Sequence, residues 1–172
     1  MSYFNEDKLA ERIAFHGLTP DIRQIIKDNK ALLSACLPQA IDRLYDHILQ
    51  FKSVAKFFKD EALIHHAKKR QAVHFDLLLA ADFNEDYLTS VTKIGEVHYR
   101  IGLEPNWYIS SYSYLADYVT AQIGPAKDEA KTMAMSEYHR ITSLRNALIC
   151  LCSFDMSCAL DVYWGVKLIY LD

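Results

Sequence analysis

Apolar residues along this chain recur every three or four positions and never alternate for long, a spacing that predicts helices throughout. Residues 6–16 read as a short helix closed by Gly17. Thr19-Pro20-Asp21 then supplies a cap, a first-turn proline and a first-turn acid for a second helix. Pro38 marks the start of a third, running to about Phe51, with Ile41, Leu44, Tyr45 and Ile48 as its inward stripe. A short helical piece at 53–58 precedes a helix from Asp60 to Ala80. Asn84 caps the next, Gly102 stops it after Ile101, and Pro105 opens another that ends at Gly124-Pro125. From Ala126 to Leu171 the only breaker is Gly165, so one very long helix, or two in tandem, fills the end. The expected fold is all-α, with seven or eight helices in a single domain over 1–172.

Composition narrows the function classes. Glycine and proline number 5 and 4 in 172 residues, too few for a sheet's turns or a doubly wound fold's crossings. With 51% hydrophobic and 12% aromatic residues, disorder is excluded. A formal charge of −3 leaves no electrostatic footprint for nucleic acid or for a membrane surface. Three of the four cysteines, Cys150, Cys152 and Cys158, sit in one apolar run with neither a disulfide-scaffold nor a zinc-pair spacing. They read as buried reduced thiols, hence a cytoplasmic location. The N-terminus is charged and has no signal-peptide core. The longest nearly uncharged stretch, Asn146 to Leu160, contains Asp155 and falls short of the about 20 residues that span a bilayer. A soluble chain without a membrane partner is expected.

Two helices look too apolar for a monomer. Between Pro105 and Gly124, Tyr108, Tyr112, Leu115 and Val119 form one face, and Trp107, Tyr114 and Tyr118 form a second. Ala147 to Leu160 is apolar nearly all round, and such a helix must be buried on all sides. A deep core within the chain is one solution. A symmetric homodimer built from these two helices is the other, and the expectation here.

Candidate chemistry centres on His98. Tyr87, Val91, Ile94, His98 and Ile101 share one helical face, which aims the imidazole at the core. It is either a core histidine satisfied by backbone or a ligand to something buried. Zinc would need several more nitrogen, sulfur or oxygen donors nearby, and none shares this face. Haem brings four nitrogens of its own and asks the protein for one axial base, which suits a lone imidazole in apolar company. Tyr45 points inward from its stripe and either bonds a backbone carbonyl or donates to a polar ligand such as bound dioxygen. On the helix 60–80, Leu63, Ala67, Arg70 or Gln71, His74 and Leu78 share a side, and Ala67 leaves room over a flat ligand. His74 and His66 are conceivable second axial ligands, although His66 lies beside the stripe and reads as a surface residue. Lys68-Lys69-Arg70 is a solvated face or a partner for haem propionates. No phosphate loop, G-x-S-x-G or H-E-x-x-H occurs in the sequence.

The run from His98 through Ile101-Gly-Leu-Glu-Pro105 to Trp107-Tyr108, with Tyr112 following, resembles the segment after the proximal histidine of globin-coupled sensors. Leu44-Tyr45-Asp-His-Ile-Leu49 is similar to that family's distal tyrosine helix, and Gln71-Ala-Val-His74-Phe75 and Phe154-Asp155-Met156 with Tyr163 resemble further patches. The likeness covers roughly residues 18–165. It implies a sensor globin with an extra N-terminal helix over 1–17, His98 as proximal iron ligand of a haem b and Tyr45 as distal donor to dioxygen. Leu44, Phe57, Leu63, Ala67, Gln71, Ile94, Ile101, Trp107 and Tyr112 would line the haem pocket, with Phe57 or Phe58 wedging its edge. The family often carries a larger apolar residue where Ala67 stands. The last two helices would form a four-helix-bundle dimer. The long helix over 126–171 would lead to an output module such as a diguanylate cyclase, a histidine kinase or a chemotaxis transducer, absent here because the chain stops in mid-pattern. The expected function is thus a haem-based dioxygen sensor domain, itself no enzyme, with carbon monoxide or nitric oxide as other gases. A haem-free, globin-shaped dimeric scaffold is the alternative. A gas-converting enzyme is disfavoured because no distal acid–base histidine is clearly placed on the stripe.

Overall fold

A computed structural model describes residues 3–124 and 133–169, apart from the side chains of Lys167 and Ile169. Its described residues form helices only: α1 (Glu6–Phe15), α2 (Pro20–Asp28), α3 (Lys30–Ile48), α4 (Lys52–Ala55), α5 (Glu61–Leu79), α6 (Glu85–Ile101), α7 (Pro105–Gln122) and α8 (Met135–Ile169). Local chemistry explains most of the boundaries. The side chains of Asn5, Thr19, Asp60 and Asn84 accept the backbone N–H three residues on, closing the first turns of α1, α2, α5 and α6. At the end of α6, Gly102 takes the left-handed conformation (φ 71°), and Leu103 N–H reaches back 3.0 Å to the His98 carbonyl.

Pro38 does not open a helix. It lies inside α3, which starts eight residues earlier at Lys30. Leu33, Leu37, Ala40, Ile41 and Leu44 are all buried and continue one helical stripe across the proline. Burial of that stripe outweighs the about 3 kcal/mol that an interior proline costs. The long last helix is a single element and passes straight through Gly165. The first part of its expected span, residues 126–132, lies outside the described residues.

The described helices pack around one core, with α8 against α2, α6 and α7, and α3 against α5 and α7. The tightest crossing is at Gly95 of α6, buried among Tyr87, Val91 and α8. A Cβ there would stand 2.5 Å from the Ala159 carbonyl oxygen and 2.6 Å from Val162 Cβ. Only glycine lets the two helices approach this closely. The turn into α6 is also specialised: Ala81 and Phe83 both adopt left-handed backbone (φ 52° and 51°). Arg23 Nε donates to the Ala81 carbonyl at 2.8 Å and its guanidinium lies over the Phe83 ring.

The second aromatic face of α7 is covered from within the chain. Tyr114 stacks on His47 (4.2 Å, 5°), and Arg43 lies over Tyr118, zipping α7 to α3. Most of Ala147 to Leu160 is likewise buried in this chain's own core. α8 is, by length and composition, apolar enough to cross a membrane, over a longer stretch (Met135–Val166) than Asn146 to Leu160; half of that window is buried inside the protein. All four cysteines are free thiols.

Candidate haem-binding site

Helix α6 ends one turn after His98, and the Gly102 stop ties its carbonyl to Leu103, so the imidazole is set by a defined helix terminus. Burial pushes the His98 ring down to about 4, so it is a neutral imidazole near pH 7. Its ring packs 4.9 Å from that of Tyr108 on α7. Among the described residues it has no hydrogen-bond partner. The Tyr108 hydroxyl is buried and has no partner either. Its own titration is driven well upward, first by burial and then by the Asp155 charge, so it stays a neutral donor.

Among the described residues the Tyr108 hydroxyl is a buried polar atom without a partner, and the half-buried, unpartnered His98 ring packs beside the Tyr108 ring. Buried polar atoms are seldom left so, and the exceptions call for an explanation. A neutral imidazole with a free nitrogen is the ligand that haem asks of a protein. No cluster of three or more metal-ligating side chains occurs among the described residues. The donor set thus fits a group that brings its other ligands with it.

Tyr45 is buried on α3, with burial pushing its phenol up to about 12. Its ring meets Phe58 edge-on at 5.5 Å, and Lys68 Nζ stands 5.7 Å from the ring while pairing with Asp42 at 2.8 Å. No hydrogen bond satisfies its hydroxyl among the described residues, so it is not the backbone-bonded core tyrosine that was the alternative. Among the described residues no ring contact or hydrogen bond links Tyr45 to His98. Leu44 is buried beside Tyr45; Phe57, Ala67 and Gln71 are half-buried, and Leu63 is 40% exposed. Ile94 and Trp107 are half-buried and Ile101 is 42% exposed.

An open cleft of about 760 Å³ runs between α5 and the outer face of α6, bordered by Arg70, Val73, Leu77, Ser90 and Lys93 and reaching Phe4. Neither His98 nor Tyr45 lines it. Of the Lys68-Lys69-Arg70 run, Lys68 is engaged by Asp42, and Arg70 lines this cleft.

His74 is not available as a second axial ligand. Its Nε2 donates to both Asp155 carboxylate oxygens at 3.0 Å, and Ser90 Oγ lies 2.9 Å from Nδ1. Both ring nitrogens are engaged by the protein itself. His66 is exposed on α5. Tyr112 also stands one step back from His98: its hydroxyl donates to Asp155 and its ring touches Tyr108 edge-on at 5.6 Å. Asp155 is the hub that sequence reasoning missed, although an acid alone in the apolar run 146–160 was the signal. Burial drives its carboxyl up, but His74 and the hydrogen bonds from His74, Tyr112 and Tyr87 outweigh this, and the net shift is down. Asp155 stays charged at 0% exposure.

Comparison with known proteins gives the family and the fold. The Protoglobin family model matches residues 5–165. The heme-based aerotactic transducer HemAT of Halobacterium salinarum is 22% identical over 164 residues, covering 92% of this chain and 33% of that protein. The chain thus spans about a third of the length of that relative. The globin domain of a globin-coupled sensor from Geobacter sulfurreducens superposes with a TM-score of 0.74 at 18% identity, covering 90% of this chain and 96% of that one. The all-helical architecture is globin-like.

Proposed function

Because this chain belongs to the protoglobin family, we propose that it is a haem-based gas-sensor domain in which His98 supplies the axial base. The observation that carries this reading is the unpartnered, neutral His98 at the end of α6, packed against Tyr108, whose buried hydroxyl has no partner. Haem b, when bound, supplies reversible capture of a diatomic gas. His98 would hold the group from α6, and its low affinity for protons keeps its ring neutral near pH 7. Tyr45, a buried donor kept protonated by its surroundings, would hydrogen-bond a polar gas such as dioxygen. Leu44, Phe58 and the half-buried Ala67 would exclude water around it. The physiological gas in this reading is dioxygen, and the location cytoplasmic.

The reading extends to assembly and output. On α8, Met135, Tyr138, Ile149, Trp164 and Leu168 stay between 47% and 67% exposed, and on α7 Ile109 is 41% exposed. Apolar residues left outside on these two helices support a homodimer through α7 and α8. The similar transducer supports a signalling output joined after α8, whether a chemotaxis transducer, a diguanylate cyclase or a histidine kinase.

The test is spectroscopic. The protein is expected to take up added haem and show a Soret band, and His98→Ala to lose the axial ligation of the parent. Tyr45→Phe should keep haem and release dioxygen about five- to tenfold faster, the equivalent of one hydrogen bond of about 1–1.4 kcal/mol. A colourless protein that refuses haem would favour the haem-free scaffold. Sedimentation velocity of the parent against Ile149→Glu tests the dimer, and unchanged monomer in both would remove it.

A further inference from the structure

Four helices meet at one carboxylate. Asp155 of α8 accepts Tyr87 from α6 at 2.7 Å, the Tyr112 hydroxyl from α7, and His74 from α5 at 3.0 Å. Ser90, one turn along α6 from Tyr87, meets the far nitrogen of His74. Burying a carboxylate is expensive, and apolar side chains of similar volume would hold four helices together as well or better. What a carboxylate adds is direction. Its two oxygens must be met at hydrogen-bond angles that weaken steeply on misalignment, so a small slide of any one helix is felt by the others.

Two of the donors lead back to His98. Tyr87 lies on the same face of α6, eleven residues before it. Tyr112 lies one turn beyond Tyr108, whose ring touches both Tyr112 and His98. One turn along α8 from Asp155, the Gly95 crossing leaves no slack between α6 and Ala159–Val162. A displacement of α6 or α7 at His98 therefore reaches α8 through a rigid contact and a directional one.

We propose that Asp155, with Tyr87, Tyr112 and His74, is a positioning node that passes the state of the His98 pocket to the C-terminal half of α8. This rests on the reading of His98 as the haem ligand. The node touches no ligand; it sets how α8 lies relative to α6 and α7.

The test uses the 172-residue chain with haem and carbon monoxide as the probes. Amide hydrogen exchange over residues 158–169 is compared without haem, with reduced haem, and with haem and carbon monoxide. The parent should change its α8 protection on loading, and Tyr112→Phe should take up haem with the parent's Soret band yet lose that change. Asp155→Asn should do the same; if it fails to fold, Tyr112→Phe and Tyr87→Phe each carry the test, since they keep the carboxylate. Variants that load haem and reproduce the parent's α8 response in full overturn the node alone. So does a parent that binds haem with no change in α8. A parent that refuses haem overturns the reading of His98, and the node falls with it.

Discussion

Two polar clusters among the described residues are opposites. Around Asp155, the carboxylate, two phenols, an imidazole and a serine hydroxyl satisfy one another within 3.0 Å. Around His98, a half-buried imidazole without a hydrogen bond packs against Tyr108, whose buried hydroxyl has no partner. The aromatic pair Tyr108–Tyr112 joins the two clusters. A closed network is complete as it stands and fixes helix positions, whereas an open one is complete only with something added. The two differ in depth as well as in satisfaction: Asp155, His74 and Tyr87 are buried and matched, whereas His98 is half-buried and unmatched.

The hardest blow to the closed cluster is Asp155→Leu, which strands three buried donors. It should cost about 3–5 kcal/mol in denaturant unfolding of the haem-free protein. A smaller loss would mean that the network is looser than its distances indicate. Gly95→Ala attacks the crossing that both clusters lean on. Its Cβ meets backbone at Ala159, which cannot yield as a side chain would, and a loss of about 1–3 kcal/mol is expected from thermal unfolding.

The sharpest contrast is one of sign. Tyr112→Phe leaves a carboxylate oxygen short of a donor and should destabilise the haem-free protein by about 1–2 kcal/mol. Tyr108→Phe removes a hydroxyl that has no partner and should be neutral, or stabilise by up to about 1 kcal/mol. Equal losses from the two substitutions would erase the distinction between the clusters.

The last contrast is a pH slope. The unfolded His98 takes a proton near pH 6.5, whereas the folded ring waits until about 4. Between these values the unfolded chain binds the extra proton, so stability is complete above pH 6.5 and declines as pH falls toward 4. His16, lowered by burial and by Arg12, adds a slope of the same sign. The measurement is therefore the difference between parent and His98→Phe, whose slope should be shallower in the haem-free state.

Most of the helices were legible in the sequence because caps, stops and apolar stripes are local signals. Asn84 and Gly102 bound α6 as their chemistry demands, and the Tyr87–Val91–His98 face follows from helical period alone. Pro38 misled because its penalty is also local, whereas the gain that overrides it comes from a stripe buried against other helices. That α3 covers Tyr114 and Tyr118 on α7 is likewise visible only in the packing.

The site divides along the same line. Periodicity was enough to aim His98 and Tyr45 inward, since the direction of a side chain on a helix depends on nothing beyond the helix. Whether an inward polar group is satisfied depends on residues distant in the chain. His74 and Asp155 are 81 positions apart, and their pairing turns a candidate ligand into a structural residue. Gly95 needed its partner at Ala159 for the same reason. Chain-local chemistry thus settled the helices and their faces, and long-range packing settled which buried polar groups were already matched and which were left open.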